Sequence, residues 1–213
     1  WHIWAVDYDP EASVETYGSG IKFMNRNLGV LSKSMTERGL YYQWGRKDPF
    51  IYPAAPNTPE TPAATYNLDG YPFEIRGNTS DYCPASNYTI DWATAHPTTI
   101  LVRPFKGTVY LYSWLYATNP NLWGNATSGS IASAKSKKSI YDPCPPGWRV
   151  PDACDFEGIE PVRKLLPYYI EIIYNGTRTA RYPASGTLGG DNYSGVGAYG
   201  QVYTNTPYFW NFD

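Results

Sequence analysis

Apolar and polar positions alternate most clearly in the middle and last third of the chain. Around Val109, Leu111 and Ser113 the period is two, so Thr108–Trp114 is expected as a strand. Ile100–Arg103 precedes it, with Gly107 as the turn between them. Tyr168–Tyr174 (YYIEIIY) is β-branched and aromatic, a strand, and Thr177–Tyr182 pairs back on it across Gly176. Ile21–Leu28 and the segment ending at Phe209-Trp210 also read as strands, and residues 1–10 as an edge strand. Helical spacing is rarer. Leu40, Tyr41 and Trp44 share a face, which predicts a main helix over Thr36–Trp44, capped by Ser32 or Ser34 and ended by Gly45. A second, short helix is expected at Thr89–His96, ended by Pro97. Phe156, Ile159, Val162 and Leu166 recur at roughly helical spacing, interrupted by Gly158 and Pro161.

Three stretches have no period. Residues 11–20 read as a polar loop. Asn119–Lys138 is a loop of Asn, Gly, Ser and Ala, whose closing lysines (Lys135, Lys137, Lys138) read as a solvated face. Residues 48–87 carry seven prolines and read as a Pro-rich insertion in a single domain spanning 1–213.

The chain is organised around Ser139–Phe156, SIYDPCPPGWRVPDACDF. Asp142–Gly147 is excluded from helix and central strand by its prolines, each of which fixes φ and lacks a donor. Trp148-Arg149-Val150 is expected as a short strand, stopped by Pro151, and Asp152 as the cap of a following helical turn. Trp148 reads as a core residue, with a ligand-stacking ring as the alternative. Cys144, Trp148, Arg149 and Cys154 are the expected structural hub.

Composition narrows the function. The 213 residues carry a net charge of −2 with both signs scattered, which does not mark a nucleic-acid binder. No apolar run is long enough to span a membrane. The chain has 21 Tyr and 8 Trp against 7 Phe, so its aromatic surface is amphipathic. Such rings suit sugar or peptide contacts, or equally the packing of loops in a β protein.

The run KSIYDPCPPGWRVP (Lys138–Pro151) resembles the signature of the Fibrobacter major paralogous domain and of related modules of fimbrillin-like surface lipoproteins of Bacteroidetes. WHIWAVDYDP, MNRNLG, GLYYQWGRKDPF, AHPTT, NLWG and YPASG agree in order, so the resemblance covers nearly the whole chain. It implies a mixed α+β, C-type-lectin-like or sulfatase-modifying-factor-like fold with few short helices, antiparallel strands and long loops. It also implies an exported protein, lipid-anchored at the outer face of the outer membrane, with an upstream segment before Trp1.

Three cysteines leave their pairing open: Cys144 with Cys154, or Cys83 with either. Related modules carry a further Cys in a C-terminal Val-Arg-Cys segment, which this sequence lacks. Metal binding is not expected: three scattered Cys and two His fall short of zinc spacing, and Trp210-Asn211-Phe212-Asp213 only echoes the calcium motif of lectins. No cofactor is expected. The cysteine-pair chemistry of sulfatase-modifying enzymes does not carry over, no hydrolytic triad is recognisable, and an enzyme is not expected. Five Asn-x-Ser/Thr sequons (Asn78, Asn87, Asn125, Asn175, Asn192) read as compositional in a bacterial protein.

The expected function is therefore a non-catalytic surface module that binds a glycan or a protein partner through aromatic-lined loops. Trp92, Trp114, Trp123 and Trp210, with Tyr66, Tyr71 and Tyr82 of the insertion, are the candidate contacts. The alternative is an assembly subunit, such as a fimbrial tip or an accessory lipoprotein of an outer-membrane import complex.

Overall fold

The computed structural model describes residues 5–12, 14–17, 20–32, 37–51, 74–76, 88–101, 105–106, 109–110, 114–115, 119, 121–124, 137–164, 169–189, 192–194, 200–203 and 209–212. Within them the molecule is sheet-rich, mostly antiparallel, with one α-helix. Strand β1 (Val14–Tyr17), in a stretch expected as polar loop, pairs antiparallel with β2 (Ile21–Met24), which lies within the expected strand Ile21–Leu28. Strands β3 (Leu40–Tyr42) and β4 (Pro49–Ile51) pair antiparallel. Strand β5 (Glu74–Arg76) runs parallel to β6 (Thr99–Leu101), and α1 (Ile90–Ala95) lies between them in sequence. Strands β7 (Phe105–Lys106) and β8 (Val109–Tyr110) pair antiparallel. A three-stranded sheet in the order β11-β10-β9 is built from β9 (Ile159–Lys164), β10 (Tyr169–Tyr174) and β11 (Thr177–Pro183). The hairpins β12 (Thr187–Gly189) with β13 (Asn192–Ser194) and β14 (Gly200–Tyr203) with β15 (Phe209–Phe212) close the chain. No helix among the described residues is long and apolar enough to cross a membrane.

Two helix expectations fail for identifiable reasons. Over Thr36–Trp44, Gly39 holds φ +83°, which a right-handed helix cannot include, and Leu40–Tyr42 finds β4 as a cross-strand partner. Residues 33–36 lie outside the described residues. Over Phe156–Leu166, Pro161 removes a helical donor, whereas an edge strand tolerates it, and β9 is an edge of its sheet. The apolar spacing there is shared between two elements, a 3-10 turn ending at Phe156 and the strand from Ile159.

Other boundaries move. Trp148–Val150, expected as a short strand, forms none. Residues 5–10 are not strand, and 1–4 lie outside the described residues. The Pro-rich stretch 48–87 contributes β4 and β5, and its remaining residues from 52 onward are outside the described set.

The α1 expectation holds, and its ends explain why. Thr89 has extended dihedrals and its hydroxyl accepts from the Trp92 backbone N–H at 3.2 Å. Pro97 cannot continue the helix. In the β10–β11 hairpin, Asn175 and Gly176 take φ +48° and +73°, the left-handed pair that a two-residue turn with the right twist requires.

Two apolar clusters carry most of the core. One joins Trp44, Tyr88, Ala93, Leu101, Trp114, Leu115, Leu122, Trp123 and Val150, so it holds α1 against β6 and the central loops. The other joins Tyr17, Phe156, Ile159, Ile170, Ile172 and Ala180 between the first hairpin and the three-stranded sheet. The 139–156 stretch contributes Val150 to the first and Phe156 to the second.

Candidate functional site: the α1 face and its supports

The hub at 138–156 is held by a buried carboxylate that the motif reading had not singled out. Asp142 is 0% exposed. Its Oδ1 accepts from the Cys144 N–H at 2.8 Å and from the Lys138 ammonium at 2.8 Å, and its Oδ2 accepts from the Val150 N–H at 2.8 Å. The first bond is an Asx turn, the local closure that Asp before Pro favours. Ser139 Oγ donates to the Leu122 carbonyl and accepts from the Tyr141 N–H. Arg149 closes the second half. Its Nη2 lies 3.0 Å from both Asp152 Oδ2 and Asp155 Oδ2, and its Nη1 donates to the Val150 carbonyl. Asp155 Oδ2 also accepts from the Asp152 N–H, which completes a capping box around the 3-10 turn Ala153–Phe156.

These charged groups bind backbone and one another, so the hub's chemistry is that of a fold support. Cys144 and Cys154 are both free thiols, so the pairing between them is not made. Burial pushes the Cys144 thiol far up, with the Asp142 carboxylate adding to the effect, which keeps it protonated and unreactive. Desolvation also raises Cys154. Cys83 lies outside the described residues. Trp148, read as core, is only partly buried and belongs to neither apolar cluster.

A second support is the turn Gln43–Arg46. Trp114 Nε1 donates to the Trp44 carbonyl at 2.6 Å, and Trp123 Nε1 donates to the Arg46 carbonyl at 3.1 Å. Both rings are at most 5% exposed. Trp114 and Trp123 were expected as ligand contacts. They are core residues instead, because each has its ring packed in the first cluster and its one polar atom already bonded. Gly45 in this turn takes φ +82°, and a side chain there would run into Leu122. Gln43 bridges to β6: its amide donates to the Leu101 carbonyl at 2.6 Å and its Oε1 accepts from the Leu101 N–H at 3.1 Å.

The aromatic expectation is met differently on α1. Trp92 is partly exposed, packs on the first cluster, and stacks on His96 with ring centroids 3.8 Å apart and planes 11° from parallel. Positions 92 and 96 are one helical turn apart, which puts both on one face. His96 is exposed, and its Nδ1 lies 2.8 Å from the Trp92 carbonyl. A carbonyl only accepts, so Nδ1 carries the hydrogen and neutral His96 presents Nε2 as an acceptor to solvent. The outer surface is an imidazole backed by an indole, beside exposed Asp91 and Thr94. Sequence reasoning selected Trp92 but missed His96; the i, i+4 spacing within one short helix was the available signal.

Of the remaining candidates, Trp210 is a strand residue of β15, paired with Val202, and Tyr66, Tyr71 and Tyr82 lie outside the described residues. Among the described residues no group of three or more His, Cys, Asp or Glu is placed to hold a metal ion. No protein-family model, curated protein or solved structure matches this chain.

Proposed function

We propose that the chain is a non-catalytic module of an exported, surface-anchored protein, C-type-lectin-like in fold, which binds a glycan or a protein ligand through exposed aromatic side chains. The observation that carries this reading is the Trp92–His96 stack. Of the tryptophans first considered whose side chains are described, only Trp92 keeps part of its ring accessible, and it does so on an exposed helix face. A flat ring with an adjacent hydrogen-bond acceptor and hydroxyl group suits the apolar face and rim hydroxyls of a sugar. The hub supports the same reading from the other side, since its carboxylates and guanidinium hold main chain. The lectin-like fold is supported by the motif resemblance and by the corner where the chain after Pro151 enters the 3-10 turn through an extended Asp152.

The test is binding of the purified protein to an array of polysaccharides and host glycans, with and without a chelator. His96→Ala and Trp92→Ala are expected to lose the hit, and His96→Ala to do so without changing the melting temperature. A hit that survives both would move the contact surface to Trp210 or to the tyrosines of the insertion. A blank array, with other outer-membrane proteins co-purifying, would favour the assembly-subunit reading.

A further inference from the structure

Helix α1 spans six residues, too few to persist by itself in water. Its last turn contains no basic residue, so its C-terminal carbonyls have no cation of their own helix. Arg46, from the turn after β3, supplies one. The residue is 3% exposed. Its Nη2 donates to the carbonyls of Ala93 at 3.2 Å, His96 at 3.2 Å and Pro97 at 3.4 Å. Its Nη1 donates to the Thr99 carbonyl at 2.6 Å and to Gln43 Oε1 at 2.9 Å. The guanidinium lies 5.3 Å from the Phe50 ring centroid and 5.9 Å from that of Trp114, and Asp48 Oδ2 is 3.5 Å from Nη2. One planar fork therefore ties the end of α1, the start of β6 and the core into a single piece.

We infer that Arg46 is the positioning residue of the Trp92–His96 surface, acting through the last-turn carbonyls of α1. The inference rests on the reading of that surface as the ligand contact. His96 is the C-cap residue, and its own carbonyl is one of the three that Nη2 holds. Fixing that carbonyl fixes the backbone from which the imidazole leans back over Trp92. A lysine at this position keeps the charge but loses the fork, and one ammonium cannot span the carbonyls of 93, 96, 97 and 99 together.

The test uses the full chain and needs no ligand. Stacking at 3.8 Å places the His96 ring protons in the shielding cone of the indole, so they resonate upfield. In Arg46→Met that upfield shift is expected to vanish while the indole N–H resonances of Trp114 and Trp123 stay at their folded positions, and Arg46→Lys is expected to restore it only in part. An Arg46→Met protein that keeps those two resonances and the stacked shift overturns the inference. If Arg46→Met does not fold, amide exchange of the unaltered protein decides. The amides of Ala93 and His96 are expected to exchange in step with that of Leu101 in β6, because Arg46 holds the carbonyls of 93 and 96 and the adjacent Gln43 holds the Leu101 N–H; free fraying of α1 ahead of Leu101 overturns the inference. A blank glycan array with the stacked shift lost in Arg46→Met would leave Arg46 as the positioning residue and remove the ligand reading. A glycan hit with the shift unaltered would do the reverse.

Discussion

At the residue scale, Asp142 is where the most interaction depends on one side chain. Three donors, two of them backbone, converge on a carboxylate with no exposed surface. Asp142→Ala leaves two N–H groups without their acceptor and the Lys138 ammonium with the Cys144 carbonyl alone. The expected cost is about 3–5 kcal/mol, read as a lower urea midpoint with unchanged slope. Cys144 carries a pH prediction. Its folded thiol is raised by desolvation, then by Asp142, whereas in the unfolded chain it titrates near the ordinary value of about 8.5. The group's contribution is full below that value. As pH climbs past it, the unfolded chain loses a proton that the folded one keeps, so stability falls. Tyr42 and Tyr182, both raised mainly by desolvation, extend the decline to higher pH. Urea midpoints are expected to drop between about pH 8 and pH 10, and Cys144→Ala to flatten the first part of that drop; a midpoint constant over the range would contradict the buried thiol. The prolines and the single glycine of 142–151 were legible as punctuation from sequence. That Asp142 is the acceptor for the whole corner was not, because its partners at 138 and 150 only meet it once the corner has turned.

At the element scale, α1 was legible because its end is marked locally: Pro97 stops a helix over Thr89–His96, and the threonine that caps it lies within the same nine residues. Thr89→Ala removes the bond to the Trp92 N–H. It is expected to cost about 1 kcal/mol and to speed amide exchange in α1. Leu40–Tyr42 shows the opposite case. Three large side chains with a later Trp at helical spacing fit either period, and the choice depends on β4, a neighbour beyond the turn at 43–48. The glycine of that turn gives a sharper test. Gly45→Ala adds a Cβ against Leu122 at a positive φ, so a loss of at least about 1 kcal/mol in thermal or urea unfolding is expected, and the native spacing of Trp44 and Trp123 (ring centroids 6.1 Å) is expected to change in near-UV circular dichroism.

At the scale of the whole molecule, side-chain hydrogen bonds join segments far apart in sequence. Tyr182 on β11 donates to the Met24 carbonyl at 2.6 Å, and Tyr41 on β3 donates to the Ser185 carbonyl at 2.6 Å. Asn27 donates to both the Arg38 carbonyl and Ser185 Oγ. Tyr182→Phe removes the donor to the part-buried Met24 carbonyl and is expected to cost about 1 kcal/mol. Trp44, Trp114 and Trp123 all sit in the other cluster. The loss is therefore expected to appear as the same midpoint shift in tryptophan fluorescence as in far-UV circular dichroism; a fluorescence midpoint that stays put while the other moves would show that the clusters unfold separately. The amphipathic composition also acts at this scale. Tyr41, Trp114, Trp123 and Tyr182 pack the ring in or against the core and use the polar atom to join distant segments.

Strand content, the short helix at Thr89–His96 and the irregular proline corner follow from neighbours within about ten residues, where dihedral limits and side-chain spacing act directly. Arg46 under the end of α1 and the burial of Trp114 and Trp123 depend on partners tens of residues away, whereas the partners of Asp142 are near in sequence but meet it only once the corner has turned. A tryptophan has the same propensity in a core and on a surface. Which role it takes is set by whether a carbonyl and a packed wall arrive opposite it, and the folded chain supplied both to Trp114 and Trp123 and an imidazole to Trp92.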